Sequence, residues 1–225
     1  SLAQENWRTI IVAVHFQRTE PSGDTGVLTK PGLYAWIAFI LIFGLMLSDY
    51  LSRQVMNAVF PLLKVEWGLS DTQLGALVSV VALTVGVMAF PISLVADRVG
   101  RVKAATAMAI VWGLATVACG LSGNFIMMFI ARAFVGLGEA GYGSAGGAIL
   151  VHIFPPRMHA VVMGSFLAAA LFGSVLGVVL GGIIAQHLGW PMAFIIVGAG
   201  GLVLAVIFPM VVREPAGTSG EHAPP

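Results

Sequence analysis

Between Arg157 and Arg213 the chain contains no aspartate, glutamate, lysine or arginine. A stretch that long without formal charge cannot coat a water-facing surface, and it exceeds the about 20 apolar residues that cross a bilayer once. Gln186 to Pro191, with His187, Gly189 and Trp190, forms its polar break and divides it into two spans. The rest of the chain is equally sparing of charge: 58% of its 225 residues are hydrophobic and 9% charged. A soluble domain carries about 25% charged residues. The sequence therefore reads as an all-α integral membrane protein solvated by lipid.

The other breaks give four more spans. The first runs from about Leu33 to Phe60, where Pro61, Lys64 and Glu66 are expected to end it. Ser70-Asp71 followed by Gln73 has the spacing of a capping box and opens the second, which stops at Ala96. The third begins after Lys103 and reaches Leu121; the fourth runs from Phe125 to Phe154, before Pro155-Pro156-Arg157. A six-helix transmembrane bundle is thus expected over residues 33–212. Residues 1–32 read as a tail, and 213–225, rich in Gly, Pro, Ser and Thr, as the start of a linker.

Basic residues set the orientation. With six spans, Arg8, Arg18, Lys30, Arg98, Arg101, Lys103, Arg157 and Arg213 share one side, and Lys64 alone lies on the other. Both termini are expected in the cytoplasm of a multi-pass cell-membrane (inner-membrane) protein. A net charge of +1 excludes the concentrated basic face of a nucleic-acid binder. The lone Cys119 and five scattered histidines give no metal-ligand pattern, so neither metal nor cofactor is expected. No nucleophile elbow or phosphate loop suggests an enzyme.

Four ionisable residues fall inside the spans: Asp49 and Arg53 in the first, Arg132 and Glu139 in the fourth. Charge at the bilayer centre costs about 2.5–3.5 kcal/mol on insertion scales, so each should face the interior and have a partner. Asp49 and Arg53 are four apart and can pair on one helical face. Arg132 and Glu139 are two turns apart, too far for a ready contact, so each should meet another helix or a water-filled cavity. They are substrate- or proton-site candidates, or else structural ion pairs. Gly136 and Gly138, and Gly173, Gly177 and Gly181 at every fourth residue, mark faces where helices approach closely.

The loop Ser93-Leu94-Val95-Ala96-Asp97-Arg98-Val99-Gly100-Arg101-Val102-Lys103 resembles the G-x-x-x-D-R-x-G-R-[RK] loop of the major facilitator superfamily, with Ser93 at the first glycine. Arg132 to Gly138 looks like the superfamily's fourth-helix R-x-x-x-G-x-G, and its extension through Glu139 to Tyr142 is similar to spinster-like and organic-anion members. Gly173 to Gly182 resembles the fifth-helix glycine pattern, with Val178 in place of proline. Ser52 stands where many relatives carry an acid before Arg53, and Asp49 lies one turn earlier.

The resemblance implies one half of a major facilitator fold. The chain is then a fragment or a half-sized protein, completed by a C-terminal half or a second copy. It also implies a conformational latch at Asp97, Arg98, Gly100 and Arg101. A substrate or proton site is implied at Asp49, Arg53, Arg132, Glu139 and Tyr142. The expected function is secondary active, proton-coupled symport of a small organic anion. A spinster-like lipid or lysolipid exporter and a non-transporting membrane scaffold are the alternatives.

Orientation is directly testable. Single cysteines replacing Glu66 and Gly217, in a Cys119→Ala background, are expected to differ on intact cells. An impermeant thiol reagent should modify the first and spare the second. The opposite pattern would invert the topology.

Overall fold

Hydrocarbon offers no water to exposed amides and carbonyls, so each crossing segment must close its own backbone hydrogen bonds. The computed structural model describes residues 32–212, apart from the side chain of Asp97. Their helices are α1 (Leu33–Trp67), α2 (Asp71–Val99), α3 (Arg101–Gly120), α4 (Phe125–Glu139), α5 (Tyr142–Ile153), α6 (His159–Leu188) and α7 (Trp190–Val211). A short 3-10 turn, Pro156–Met158, leads into α6. With α4 and α5 forming one crossing, six segments are long and apolar enough to span a membrane. The chain is a multi-pass membrane protein. The expected linker, and the expected tail apart from Gly32, lie outside the described residues.

Several boundaries differ from the sequence reading: α2 runs on to Val99 and α3 starts at Arg101, before Lys103, and two further differences bear on the site. Pro61 does not end α1, which continues to Trp67. The proline removes one backbone donor, but buried Leu63 two residues on packs into the core and keeps the chain helical. The fourth span is interrupted: α4 stops at Glu139 and α5 starts at Tyr142, with Ala140 and Gly141 outside both. The Ser70 cap forms as expected, its hydroxyl accepting from the Gln73 amide while the Gln73 side chain accepts from the Ser70 amide. Gly100, between α2 and α3, has φ +106°, and Gly189, between α6 and α7, has φ +86°. Both are conformations that a side chain disfavours.

The most extensive seams are α1 with α6 and α3 with α7. The α6 glycines make the first. A Cβ at Gly173 would lie 2.5 Å from the Leu47 carbonyl oxygen, one at Gly177 2.6 Å from that of Leu51, and one at Gly181 3.2 Å from Val55 Cα. Gly136 and Gly138 do the same for α4, against the Val81 carbonyl and the Trp112 amide. At the α1–α2 end, the Trp190 indole donates to Glu66 Oε2 at 2.6 Å, and its ring meets Trp67 edge-on at 5.2 Å.

The buried apolar side chains form two clusters, one around Ile42, Trp112, Phe166 and Phe208, the other around Met56, Leu77, Met128 and Phe194. On α1 the first ends at Met46 and the second begins at Val55; between them sit Ser48, Asp49, Ser52 and Arg53. On α4–α5 the same gap, between Val135 and Tyr142, holds Glu139. The bundle thus has a polar layer between two greasy ones.

Gly177→Leu is expected to lower stability by about 1–3 kcal/mol, because the new side chain must push α1 and α6 apart. Gly182→Ala, where a Cβ would meet nothing within 4 Å, should be neutral or slightly stabilising. Thermal unfolding in detergent separates the two; equal effects would mean that the glycine face does not set the seam.

Candidate functional site

The polar layer is built from α1 and the end of α4. Asp49 and Arg53 lie on one face of α1, one turn apart, with Arg53 Nε 3.5 Å from Asp49 Oδ1. The same guanidinium reaches across to α4, where its Nη2 is 2.9 Å from Glu139 Oε2. The Glu139 side chain is 0% exposed, that of Asp49 7% and that of Arg53 31%. One cation therefore bridges two buried carboxylates, and its own exposed part faces a cavity. The bridging contacts are not aligned hydrogen bonds: Asp49 Oδ1, Arg53 Nε and both Glu139 carboxylate oxygens are buried with no hydrogen-bond partner among the described residues.

That cavity, of about 480 Å³, is lined by all three residues of this group, by Tyr50, and by Phe90 and Ser93 of α2. The wall continues across the α4–α5 interruption through Ala140, Gly143 and Ser144. The Arg53 guanidinium carbon sits 5.3 Å from the centre of the Tyr50 ring, a cation–π contact that helps hold it facing inward. Ser52 donates to the Asp49 carbonyl at 2.8 Å, satisfying its own helix. The acid that pairs with Arg53 is thus Asp49, a turn earlier.

Arg132 and Tyr142 take other positions. Arg132 is 3% exposed and its Nε donates to the Leu77 carbonyl of α2 at 3.1 Å, about 10 Å along the helix from Glu139. Tyr142 is 2% exposed and donates from its hydroxyl to the Ile42 carbonyl of α1 at 2.9 Å. Its ring packs against Trp112 with centroids 5.8 Å apart. Neither lines the cavity. Each of Arg132 and Glu139 meets another helix, as their spacing suggested. Of the loop residues, Arg98 is exposed in the last turn of α2, Gly100 makes the turn, and Arg101 opens α3; the Asp97 side chain lies outside the described residues.

Sequence reasoning missed the interruption of the fourth span and the cavity wall at Tyr50, Phe90 and Ser144. The density of glycine around Gly138 and Gly141 was the available signal, since both weaken a helix.

Removing the bridge should expose its energetics. Arg53→Met is expected to destabilise the protein, because two buried carboxylates lose their shared partner. Adding Glu139→Gln should recover part of the loss, with a coupling of about 0.5–3 kcal/mol in a double-mutant cycle. Strictly additive effects on the unfolding midpoint would mean that the two side chains do not interact.

Comparison with known proteins follows the geometry. Over 188 residues the chain is 26% identical to a hexuronate transporter of Bacillus subtilis, covering 84% of this chain and 44% of that protein. It is 29% identical to a probable L-galactonate transporter of Escherichia coli over 79% of this chain and 39% of that one. The fold matches the crystal structure of a bacterial homolog of the human lysosomal transporter spinster, inward-facing and unoccupied. That match has a TM-score of 0.75 and 28% identity, and covers 87% of this chain and 46% of the other. The chain spans less than half the length of these relatives. The model of the Major Facilitator Superfamily matches residues 37–224, and the chain belongs to that family.

Proposed function

We propose that residues 33–212 form one half of a secondary transporter that moves a small organic anion together with a proton. Arg53 is the anion-binding residue, and Glu139, with Asp49 beside it, exchanges the proton. The observation that carries this reading is the Arg53 bridge: one cation shared by two buried carboxylates on the wall of a cavity. An arginine presents a planar fork suited to a carboxylate and keeps its charge throughout. When a solute carboxylate takes that fork, Asp49 and Glu139 lose their counter-ion in a low-dielectric layer. A proton bound to one of them restores the balance. Anion and proton then favour each other's binding, which is the thermodynamic requirement of symport.

Arg132, committed to the Leu77 carbonyl, positions α4, and Tyr142 positions the start of α5. In this reading the loop at Asp97, Arg98, Gly100 and Arg101 latches the half to its partner, a C-terminal half or a second copy. The termini lie in the cytoplasm. The hexuronate and galactonate relatives support an anionic solute. A lipid or lysolipid solute is the second reading, supported by 36% identity over 110 residues to a probable sphingolipid transporter, spinster homolog 1, of Arabidopsis thaliana.

In proteoliposomes of the transport-competent protein, Glu139→Gln is expected to abolish uphill uptake driven by an imposed proton gradient. Downhill exchange of labelled substrate should continue. Arg132→Lys should weaken transport without uncoupling it. If Glu139→Gln still concentrates substrate, Glu139 is not the proton carrier and Asp49 becomes the candidate. If the wild-type protein moves lysolipid and not organic anion, the second reading holds.

A further inference from the structure

Away from the polar layer, Lys103 stands on the first turn of α3, exposed and without an ion-pair partner among the described residues. It lines two hollows on the surface of the bundle. One, of about 300 Å³, lies against α2 and the end of α4, with Val95, Met108 and Val111 in its wall. The other, of about 550 Å³, lies against α7, with Ile110 and Pro209 in its wall. Lys103 and the small, exposed Ala107 one turn below it line both. Among the described residues no acidic side chain lines either hollow.

We infer that this face is a binding site for one diacyl anionic phospholipid, its phosphate on Lys103 and one acyl chain in each hollow, the two tails straddling Ala107. Charge and shape agree. Among the described residues that line the two hollows, the Lys103 ammonium is the single charged group, so a negative headgroup is drawn there. A two-tailed molecule fits two hollows that share Lys103 and Ala107 as a common wall. On α3 both hollows run from Lys103 to Ile110 or Val111. That is about 12 Å of helix rise, within the about 15 Å of hydrocarbon in one leaflet. Basic pockets between transmembrane helices hold anionic headgroups by the same combination.

The floor of the first hollow includes Gly138, the neighbour of Glu139. Ile92 and Met108, which line the same hollow, are the side chains that a Cβ at Gly141 would meet at 2.8 Å and 2.9 Å. A lipid tail seated there packs on the backbone that carries Glu139, although binding itself does not depend on the transport reading.

The test is native mass spectrometry of the full chain in detergent, equilibrated with equal amounts of phosphatidylglycerol and phosphatidylcholine. The wild type is expected to retain phosphatidylglycerol preferentially. Lys103→Gln should reduce that preference about fivefold, Lys103→Arg should keep it, and Ala107→Trp should displace both lipids by filling the ridge between the hollows. Ala107→Leu gives the same readout if the tryptophan variant does not fold. Equal retention of both lipids would leave only a non-selective lipid shell. An unchanged preference in Lys103→Gln would remove the headgroup site. Equal binding of single-chain lysophosphatidylglycerol would refute the two-tail arrangement. A chain dimer abolished by Ala107→Trp would assign the face to a second copy instead. Each of these results overturns the proposal.

Discussion

A guanidinium shared between two buried carboxylates is the contact around which this bundle is arranged. Arg53 holds Asp49 through its own helix and Glu139 through a neighbouring one. Removing charges from water is expensive, and their mutual attraction offsets that cost only where the geometry is held firm. The glycine seam places α1 against α6, so the helix that carries Asp49 and Arg53 is fixed over its middle third. The apolar clusters on either side close the layer from both ends of the bundle. The cavity is the side left open.

Much of this was legible in the sequence because the bilayer enforces it. Sparse charge, span length and proline or glycine punctuation gave six crossings, since lipid leaves the backbone no alternative to a helix. The inward direction of Asp49, Arg53, Arg132 and Glu139 followed from the cost of exposing charge to hydrocarbon. The pairing of Asp49 with Arg53 followed from four-residue spacing within one helix. Partners on other helices were less accessible. That Glu139 meets Arg53 while Arg132 meets a carbonyl of α2 depends on how helices far apart in the chain are rotated about their axes, and no local pattern encodes that rotation. Pro61 misled for a related reason: its local effect is to break a helix, but packing of Leu63 overrides it. The gap at Ala140 and Gly141 is the converse, a weakness present in composition whose realisation depends on Tyr142 being anchored elsewhere.

Membership of the superfamily explains why the motif-bearing segments lie where they do, and the departures are informative in themselves. Ser52 turns its hydroxyl back onto its own helix, and the carboxylate of α1 beside Arg53 is that of Asp49, one turn earlier. A carboxylate four residues from Arg53, instead of one, lies on the same face as the guanidinium and can reach it side-on.

The interruption of the fourth span has a mechanical meaning. Above it, α4 is tied to α2 through Arg132 and the Leu77 carbonyl; below it, α5 is tied to α1 through Tyr142 and the Ile42 carbonyl. The two halves of one crossing are thus bolted to different neighbours, with Glu139 at the joint. A continuous helix would resist any sliding of α2 past α1. Any sliding of α2 past α1 would instead load the joint at Ala140–Gly141, next to the carboxylate that Arg53 holds.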